Sequence, residues 1–182
     1  MAEDRRVEGV SSLERTVEAG ILAGMVAAVP IGLSAAIAAA TYQHMGFFTP
    51  VYRIAAVLDP TSMLVSVQEA ETGSPFYFDL QPLVAGSAMH LTIGGFFGVV
   101  FALLARSLGV RGPVAIPVGL LYGLAVMALM GLLVLPLVAD LLGGGQPVAD
   151  AASIVGWPTF TVGHGLYGLT LGAWTVARPW PS

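Results

Sequence analysis

Residues 113–139 read PVAIPVGLLYGLAVMALMGLLVLPLVA, an apolar run that contains no charged side chain. About 20 such residues are enough to cross the hydrocarbon core of a bilayer as a helix. Three further runs of the same kind cover residues 19–45, 83–105 and 154–177. Because lipid offers no hydrogen-bond partner to a free backbone N–H or C=O, each run must be helical. The sequence therefore predicts an all-α membrane protein with four transmembrane helices.

The composition of the whole chain agrees with this prediction. The 182 residues are 56% hydrophobic and 10% charged, whereas soluble domains carry roughly 25% charged residues. This composition excludes an ordinary soluble enzyme, a nucleic-acid-binding protein and a disordered chain. The chain has no Cys, which excludes disulfides, thiolate metal sites and Cys nucleophiles. All seven basic residues are Arg, which excludes Schiff-base chemistry on Lys.

The arginine residues predict how the chain is oriented. Basic residues are enriched in the cytoplasmic segments of membrane proteins. If all four runs span the membrane, most of the arginines share one side, namely Arg5, Arg6, Arg15, Arg106, Arg111 and Arg178. Only Arg53 lies on the other side. Both termini are therefore predicted to be cytoplasmic.

The predicted organisation is a single transmembrane domain, residues 19–177, between two short tails. The N-terminal tail covers residues 1–18 and the C-terminal tail residues 178–182, both on the cytoplasmic side. Just ahead of the first run, Ser11-Ser12-Leu13-Glu14 fits a capping box, which predicts that the first helix begins there.

The first link, residues 46–82, is the longest and is predicted to lie outside. Thr49-Pro50 and Asp59-Pro60 are typical of helix starts. They predict short helices over residues 50–58 and 60–70. Because these segments are apolar but too short to span, we expect them to lie in the outer membrane interface.

The runs share a spacing of small residues in two pairs. The first and third runs carry the same glycine spacing, at Gly20, Gly24 and Gly32 and at Gly119, Gly123 and Gly131. The second and fourth share His-x3-Gly-x3-Gly, at His90, Gly94 and Gly98 and at His164, Gly168 and Gly172. This pattern predicts two copies of a helical hairpin, as parallel repeats about an axis along the membrane normal. The expected role of the glycines is close helix packing, since residues four apart share one helix face.

The histidines are the candidate site residues. At a rise of 1.5 Å per residue, His90 and His164 lie at a similar depth, roughly 10–15 Å from the outer surface. They could hold helices together by hydrogen bonds, or they could be the axial ligands of a b-type haem, with Gly94 and Gly168 leaving clearance for the ring. A metal, quinone or proton role is also open, and His44 is then a candidate third metal ligand.

Three short segments carry a resemblance to a known family. They are Ile54-Ala55-Ala56, His90-Leu91-Thr92-Ile93-Gly94 and Gly163-His164-Gly165-Leu166-Tyr167-Gly168. Together they resemble small bacterial four-helix integral membrane proteins of unassigned function, in which an Ile-Ala-Ala-type segment precedes a span with His then Gly, and the last span reads Gly-His-x3-Gly. The resemblance covers most of the chain and implies the bacterial inner membrane. It implies no reaction.

The functional prediction follows from what the spans carry. No span has a carboxylate, and the chain has no H-E-x-x-H, G-x-S-x-G or phosphate-loop motif. We therefore expect a non-enzymatic inner-membrane protein that works as a subunit or partner of a larger membrane complex, such as a respiratory one. The expected partner on its glycine-rich faces is a second membrane protein or a second copy of this chain. One alternative is binding of b-type haem or a metal by His90 and His164. The other is a small transporter or channel for a neutral solute.

Overall fold

The protein is an all-helical membrane protein. The computed structural model describes residues 2–58, 61–142 and 145–180, and within these residues no strand is present. Three stretches are long and apolar enough to cross a membrane: Ser12–Thr41, Leu80–Ser107 and Gly112–Leu141. The predicted all-α membrane class is thereby confirmed. The fourth predicted run also forms a helix, but it is less apolar and is not one of these three stretches.

Nine α-helices follow one another along the described chain, with two short segments of other helix types. The α-helices are α1 (Ala2–Thr41), α2 (Thr49–Ala55), α3 (Thr61–Glu71), α4 (Leu80–Ser107), α5 (Ala115–Leu129), α6 (Leu135–Leu142), α7 (Gly145–Ala149), α8 (Ala151–Val155) and α9 (Trp157–Ala177). A 3₁₀ turn, Gly112–Val114, precedes α5, and a π-helical turn, Met130–Val134, joins α5 to α6.

Helix α1 begins earlier than the sequence predicted. It runs from Ala2 through residues 11–14 without a break, so the prediction of a helix start at the capping box is wrong. The Ser12 and Thr16 side chains are buried there. Each accepts a hydrogen bond from the Arg106 guanidinium of α4, at 2.9 Å in both cases. These two hydrogen bonds hold residues 12–16 of α1 against α4. The segment therefore lies within a contact between two helices and not at a helix end.

The third predicted run is a helix with a local irregularity. The π-helical turn Met130–Val134 lies directly before Pro136. Proline has no N–H to continue the helical bonds, and its ring crowds the carbonyl four residues earlier. Helix irregularities commonly occur at such positions. Pro136 therefore accounts for the widened turn that precedes it.

Helices α2 and α3 correspond to the two short helices predicted in the first link, but α2 is buried in the protein. Tyr52 is fully buried, and the backbone of Val51 lies against Gly86 of α4 so closely that a Cβ there would meet the Val51 carbonyl oxygen. Thr49 does not cap the helix. Its hydroxyl instead shares a 2.8 Å hydrogen bond with Ser66 of α3. We call residues 45–58 and 61–79 the outer cap.

The long helices form one bundle in which α1 packs against α4 and α9, and α5 packs against α9. Trp180, just after α9, packs on Phe101 of α4 with ring centroids 6.4 Å apart. This is the end of the bundle at which Arg106 contacts α1, and we call it the arginine end. At the opposite end, the hydroxyls of Tyr42 and Thr159 share a hydrogen bond. Helix α9 therefore lies antiparallel to α1 along the same length of the bundle.

Candidate functional site

Glycines bring α1 and α4 into backbone contact. A Cβ on Gly24 would meet the Gly94 carbonyl oxygen and would lie 2.8 Å from Gly98 Cα. A Cβ on Gly94 would lie 2.6 Å from Ala28 Cβ. Real Cβ atoms essentially never approach other heavy atoms within 3.0 Å. The close approach of these two helices therefore requires glycine at each of these positions.

Helices α5 and α9 meet in the same manner. A Cβ on Gly119 would meet the Gly168 carbonyl oxygen and would lie 2.8 Å from the backbone nitrogen of Gly172. Gly119 thus contacts its two partners on α9 as Gly24 contacts its two partners on α4. By these contacts, Gly24 corresponds to Gly119. The glycine spacing in the sequence instead aligned Gly24 with Gly123, which lies one helical turn further along α5.

His90 faces α1. Its Nε2 atom lies 2.9 Å from the Ala28 carbonyl oxygen. A carbonyl can only accept, so Nε2 carries the proton and donates it. A Cβ on Gly32 would lie 3.7 Å from the same Nε2 atom. The imidazole therefore bridges α4 to the turn of α1 that contains Pro30, and it uses the Nε2 nitrogen to do so.

His164 is 7% exposed and lies in the centre of α9. Its Nδ1 atom donates to the Phe160 carbonyl oxygen at 2.8 Å, one turn earlier in the same helix. Its ring lies 4.3 Å from the Phe160 ring. This arrangement leaves the Nε2 lone pair unused by the bond to Phe160, and metal-ligating histidines are often held by their other nitrogen in this way.

The structure places His90 and His164 beside the same stretch of α1: His90 donates to the Ala28 carbonyl oxygen, and a Cβ on Gly163, next to His164, would lie 3.7 Å from Ile31 Cα. It does not leave space for a flat ring beside them. The positions that the sequence analysis assigned to ring clearance, Gly94 and Gly168, are filled by the backbones of α1 and α5. Haem binding between these helices would require the helix pairs to separate and His90 to release Ala28.

His44 does not join the other two histidines. It is exposed just beyond the end of α1, where its φ of 54° places it in the left-handed region. Across residues 2–58, 61–142 and 145–180, no group of three or more His, Asp or Glu side chains could hold a metal ion. The proposed role of His44 as third metal ligand stays a prediction without geometric support.

A groove of about 310 Å³ lies between α1 and α9 near the outer cap. Its lining includes Ile37, Tyr42 and Val162, whose side chains are all exposed on the surface of the bundle. The groove is therefore a feature of the bundle surface, and it does not define a central pathway for a transported solute.

Arg53, on α2 in the outer cap, is the residue that sequence reasoning missed. It is 8% exposed. Its Nε and Nη1 atoms are buried without a hydrogen-bond partner in the described part of the chain, and Nη2 contacts only the weak acceptor Met45 Sδ, at 3.8 Å. Burial lowers the pKa of the Arg53 guanidinium from its ordinary value. The sequence did indicate that Arg53 has no ion-pair partner on its own helix, because no acidic residue lies three or four positions from it.

Three comparisons with known proteins found no matching family model, no matching curated protein and no matching solved structure. The fold defines the class of the protein as a helical integral membrane protein. The resemblance to small bacterial four-helix membrane proteins stays a prediction.

Proposed function

We propose that this chain is a non-enzymatic membrane protein that works as a subunit or partner of a larger membrane assembly. The observation that carries the proposal is the buried guanidinium of Arg53, two nitrogens of which lack an acceptor in the described chain. Burying a charge is costly unless it is paired and hydrogen-bonded. Leaving one member of a buried ion pair without its partner costs about 3–5 kcal/mol. An acceptor on another protein would remove this cost.

The Asp79 carboxylate of the outer cap does not supply that acceptor. Asp79 is already engaged: one carboxylate oxygen accepts from the Ser62 hydroxyl at 2.9 Å and the other from the backbone N–H of Gln81 at 3.1 Å. A partner carboxylate matches the geometry and charge of a guanidinium better than any neutral acceptor. The partner surface that we propose therefore carries an Asp or Glu opposite the outer cap.

The glycine-rich faces do not contribute to this proposal. In the sequence they favoured contact with another protein, but Gly24, Gly98, Gly119 and Gly168 all lie against backbone of the same chain. Contact with a partner is therefore proposed at the outer cap and not along the glycine faces.

We also propose that α9 is a fourth span. Its 21 residues extend about 31 Å at 1.5 Å per residue, which is close to the thickness of the hydrocarbon core. Its lower hydropathy has a physical reason, because Gly163, His164 and Gly168 are buried against other helices. The exposed face of α9, which would meet lipid, is more apolar and includes Val162 and Leu169.

Four spans would place both termini at the arginine end of the bundle. The enrichment of basic residues on the cytoplasmic side then supports a cytoplasmic location for that end. The inner membrane of a bacterium is proposed from the resemblance to small bacterial four-helix membrane proteins. The matching contacts of Gly24 and Gly119 support the further proposal that α1–α4 and α5–α9 are two parallel copies of one hairpin. In this proposal Gly24 of α1 is equivalent to Gly119 of α5, one helical turn from the equivalence that the glycine spacing predicted.

The partner proposal is tested by isolating the assembly from native membranes. The tagged chain is extracted in mild detergent and separated by native electrophoresis. We expect the wild-type chain to migrate in a complex larger than itself, and the R53M chain to be released from it, because the acceptor loses its charged donor. R53K should retain the complex in part, since it keeps the charge but not the planar donor set.

The matched control is R178Q, which removes a positive charge from the arginine end and should leave the complex intact. Mass spectrometry of the larger band distinguishes a different protein from a second copy of this chain. Migration of the wild-type chain alone, or equal retention of R53M and wild-type in the complex, would contradict the proposal.

Haem binding and solute transport stay predictions. Ligand binding could build on the Nε2 of His164, which the bond to Phe160 leaves unused, and the engaged Nε2 of His90 acts against a paired axial site. No observation of the described residues favours transport.

A further inference from the structure

A small recess opens at the arginine end of the bundle, where the turn between α4 and α5 meets the segment after α9. It is lined by Arg106, Arg111 and Trp180, together with Gly109 and Val110 of the turn. Its volume is about 10 Å³, which is near the smallest space that holds one water molecule or one oxygen atom. The recess therefore accepts one atom of a ligand, while the rest of the ligand stays outside.

Trp180 contributes an unsatisfied donor to this region. The residue is only 7% exposed and its ring packs on Phe101. Its indole Nε1 is buried and has no hydrogen-bond partner within the described residues. An indole nitrogen can only donate, and a buried donor without an acceptor destabilises the folded state. The missing partner of Trp180 is therefore an acceptor atom.

The two arginines supply positive charge that no side chain described in the structure neutralises. Arg106 is half-buried, and its Nη1 and Nη2 atoms donate to the hydroxyls of Thr16 and Ser12, which are neutral. Arg111 is exposed on the other side of the turn. In the part of the chain that the structure describes, neither guanidinium forms an ion pair. The ligand that completes this region is therefore an anion with acceptor oxygens.

We propose that this recess binds a phosphate group. One phosphate oxygen enters and accepts the Nε1–H of Trp180, and the remaining oxygens face the guanidinium groups of Arg106 and Arg111. A phosphate has enough acceptor oxygens for three separate donor groups, and guanidinium–phosphate bonds are among the strong charge-assisted ones. The phosphate comes either from the headgroup of an anionic phospholipid, which basic pockets at helix ends bind, or from a free phosphate compound in solution.

The test uses the full chain in lipid nanodiscs. Its thermal unfolding is measured in phosphatidylcholine alone, in phosphatidylcholine mixed with phosphatidylglycerol, and in phosphatidylcholine with added inorganic phosphate. We expect an upward shift of the melting temperature with phosphatidylglycerol, with inorganic phosphate, or with both. The component that produces the shift identifies the source of the phosphate.

Two variants test whether the shift belongs to the recess. W180F keeps an aromatic ring on Phe101 but removes the N–H, and it should weaken the apparent affinity about tenfold, the loss of one hydrogen bond to a charged group. R111Q removes an exposed charge and should also weaken it, while the fold is retained. R178Q is the matched control: Arg178 lies near the same end and stacks on Trp174 at 5.1 Å, away from the recess.

R178Q should reduce the affinity by no more than the general effect of one surface charge, about fivefold. The proposal is overturned if neither phosphate source raises the melting temperature. It is also overturned if R111Q and R178Q weaken binding equally and W180F leaves it unchanged, since the attraction would then be that of any basic surface. If W180F does not fold, the comparison of R111Q with R178Q decides by itself.

Discussion

At the scale of single residues, Arg53 and Trp180 stand apart from the other buried polar side chains. Thr49 and Ser66 pair with each other, and the Tyr167 hydroxyl donates to the Gly94 carbonyl oxygen at 2.7 Å. Nearly all buried polar groups in native proteins are hydrogen-bonded. Three donor atoms lack acceptors in the described chain: Nε and Nη1 of Arg53, and Nε1 of Trp180. These are the positions at which we propose groups from outside the chain.

The Arg53 proposal also predicts the stability of the isolated chain. R53M should leave the free energy of unfolding in detergent unchanged or raise it by about 1 kcal/mol or more, because an unpaired buried charge is removed. Y167F should lower it by about 1 kcal/mol, because a satisfied buried hydrogen bond is lost. Both values are obtained from unfolding titrations with SDS. A loss of stability in R53M as large as that in Y167F would show that the guanidinium is satisfied within the chain.

The geometry of the histidines predicts the absorption spectrum of the purified protein. We expect no Soret band, because the backbones of α1 and α5 fill the spaces beside Gly94 and Gly168 and because His90 Nε2 is bound to Ala28. The measurement is a visible spectrum after expression with a haem precursor. A Soret band that disappears in H164A would restore the haem hypothesis.

At the scale of helices, backbone contact at glycine holds each pair together. Lipid provides no hydrophobic drive between helices, so close van der Waals packing carries much of their association. On α4 and α9, tightly packed glycines lie beside glycines with ordinary clearance. A Cβ on Gly95 would lie 3.5 Å from Ile21, and one on Gly165 would lie 3.6 Å from Leu120. Each helix therefore contains its own control position.

The contrast predicts opposite effects of alanine within one helix. G98A and G168A should each lower the free energy of unfolding by about 1–3 kcal/mol, the usual cost of overpacking. G95A and G165A should be neutral or should stabilise by up to about 1 kcal/mol, since alanine favours the helix. Unfolding titrations in one detergent compare all four variants. Similar effects at the tight and the open positions would contradict the close approach of the helices.

At the scale of the whole molecule, contacts at both ends of the bundle define how α9 lies. Trp180 reaches α4 at the arginine end, and Tyr42 reaches the first turn of α9 at the other. These contacts support α9 as a full span beside α1, although the hydropathy of α9 is lower. The number of spans decides whether the two termini share one side of the membrane.

Single cysteines test this topology cleanly, because the natural chain contains none. We expect L58C and S153C to react with a membrane-impermeant maleimide in intact spheroplasts. L108C and P179C should react only after the membrane is permeabilised. All four positions are exposed on the protein. Labelling of P179C without permeabilisation would mean that α9 does not cross the membrane.

Several features were predictable from sequence because they depend on local chemistry. The apolar runs led to the long helices, since unpaired backbone groups are excluded from lipid. The two short helices of the first link followed from proline and its neighbours. The continuation of α1 through residues 11–14 was not predictable, because Arg106 of a distant helix donates to the hydroxyls of Ser12 and Thr16 at this point.

The amino-acid sequence by itself determined that the chain is helical and belongs in a membrane, because composition and hydrophobic run length act without reference to distant residues. Only the tertiary structure decided that the glycine faces are occupied within the chain, and that His90 uses Nε2 on Ala28. It alone showed that donors of Arg53 and Trp180 are buried without acceptors among the described residues. Each of these depends on which helix lies opposite, and that is settled by the packing of side chains far apart in sequence.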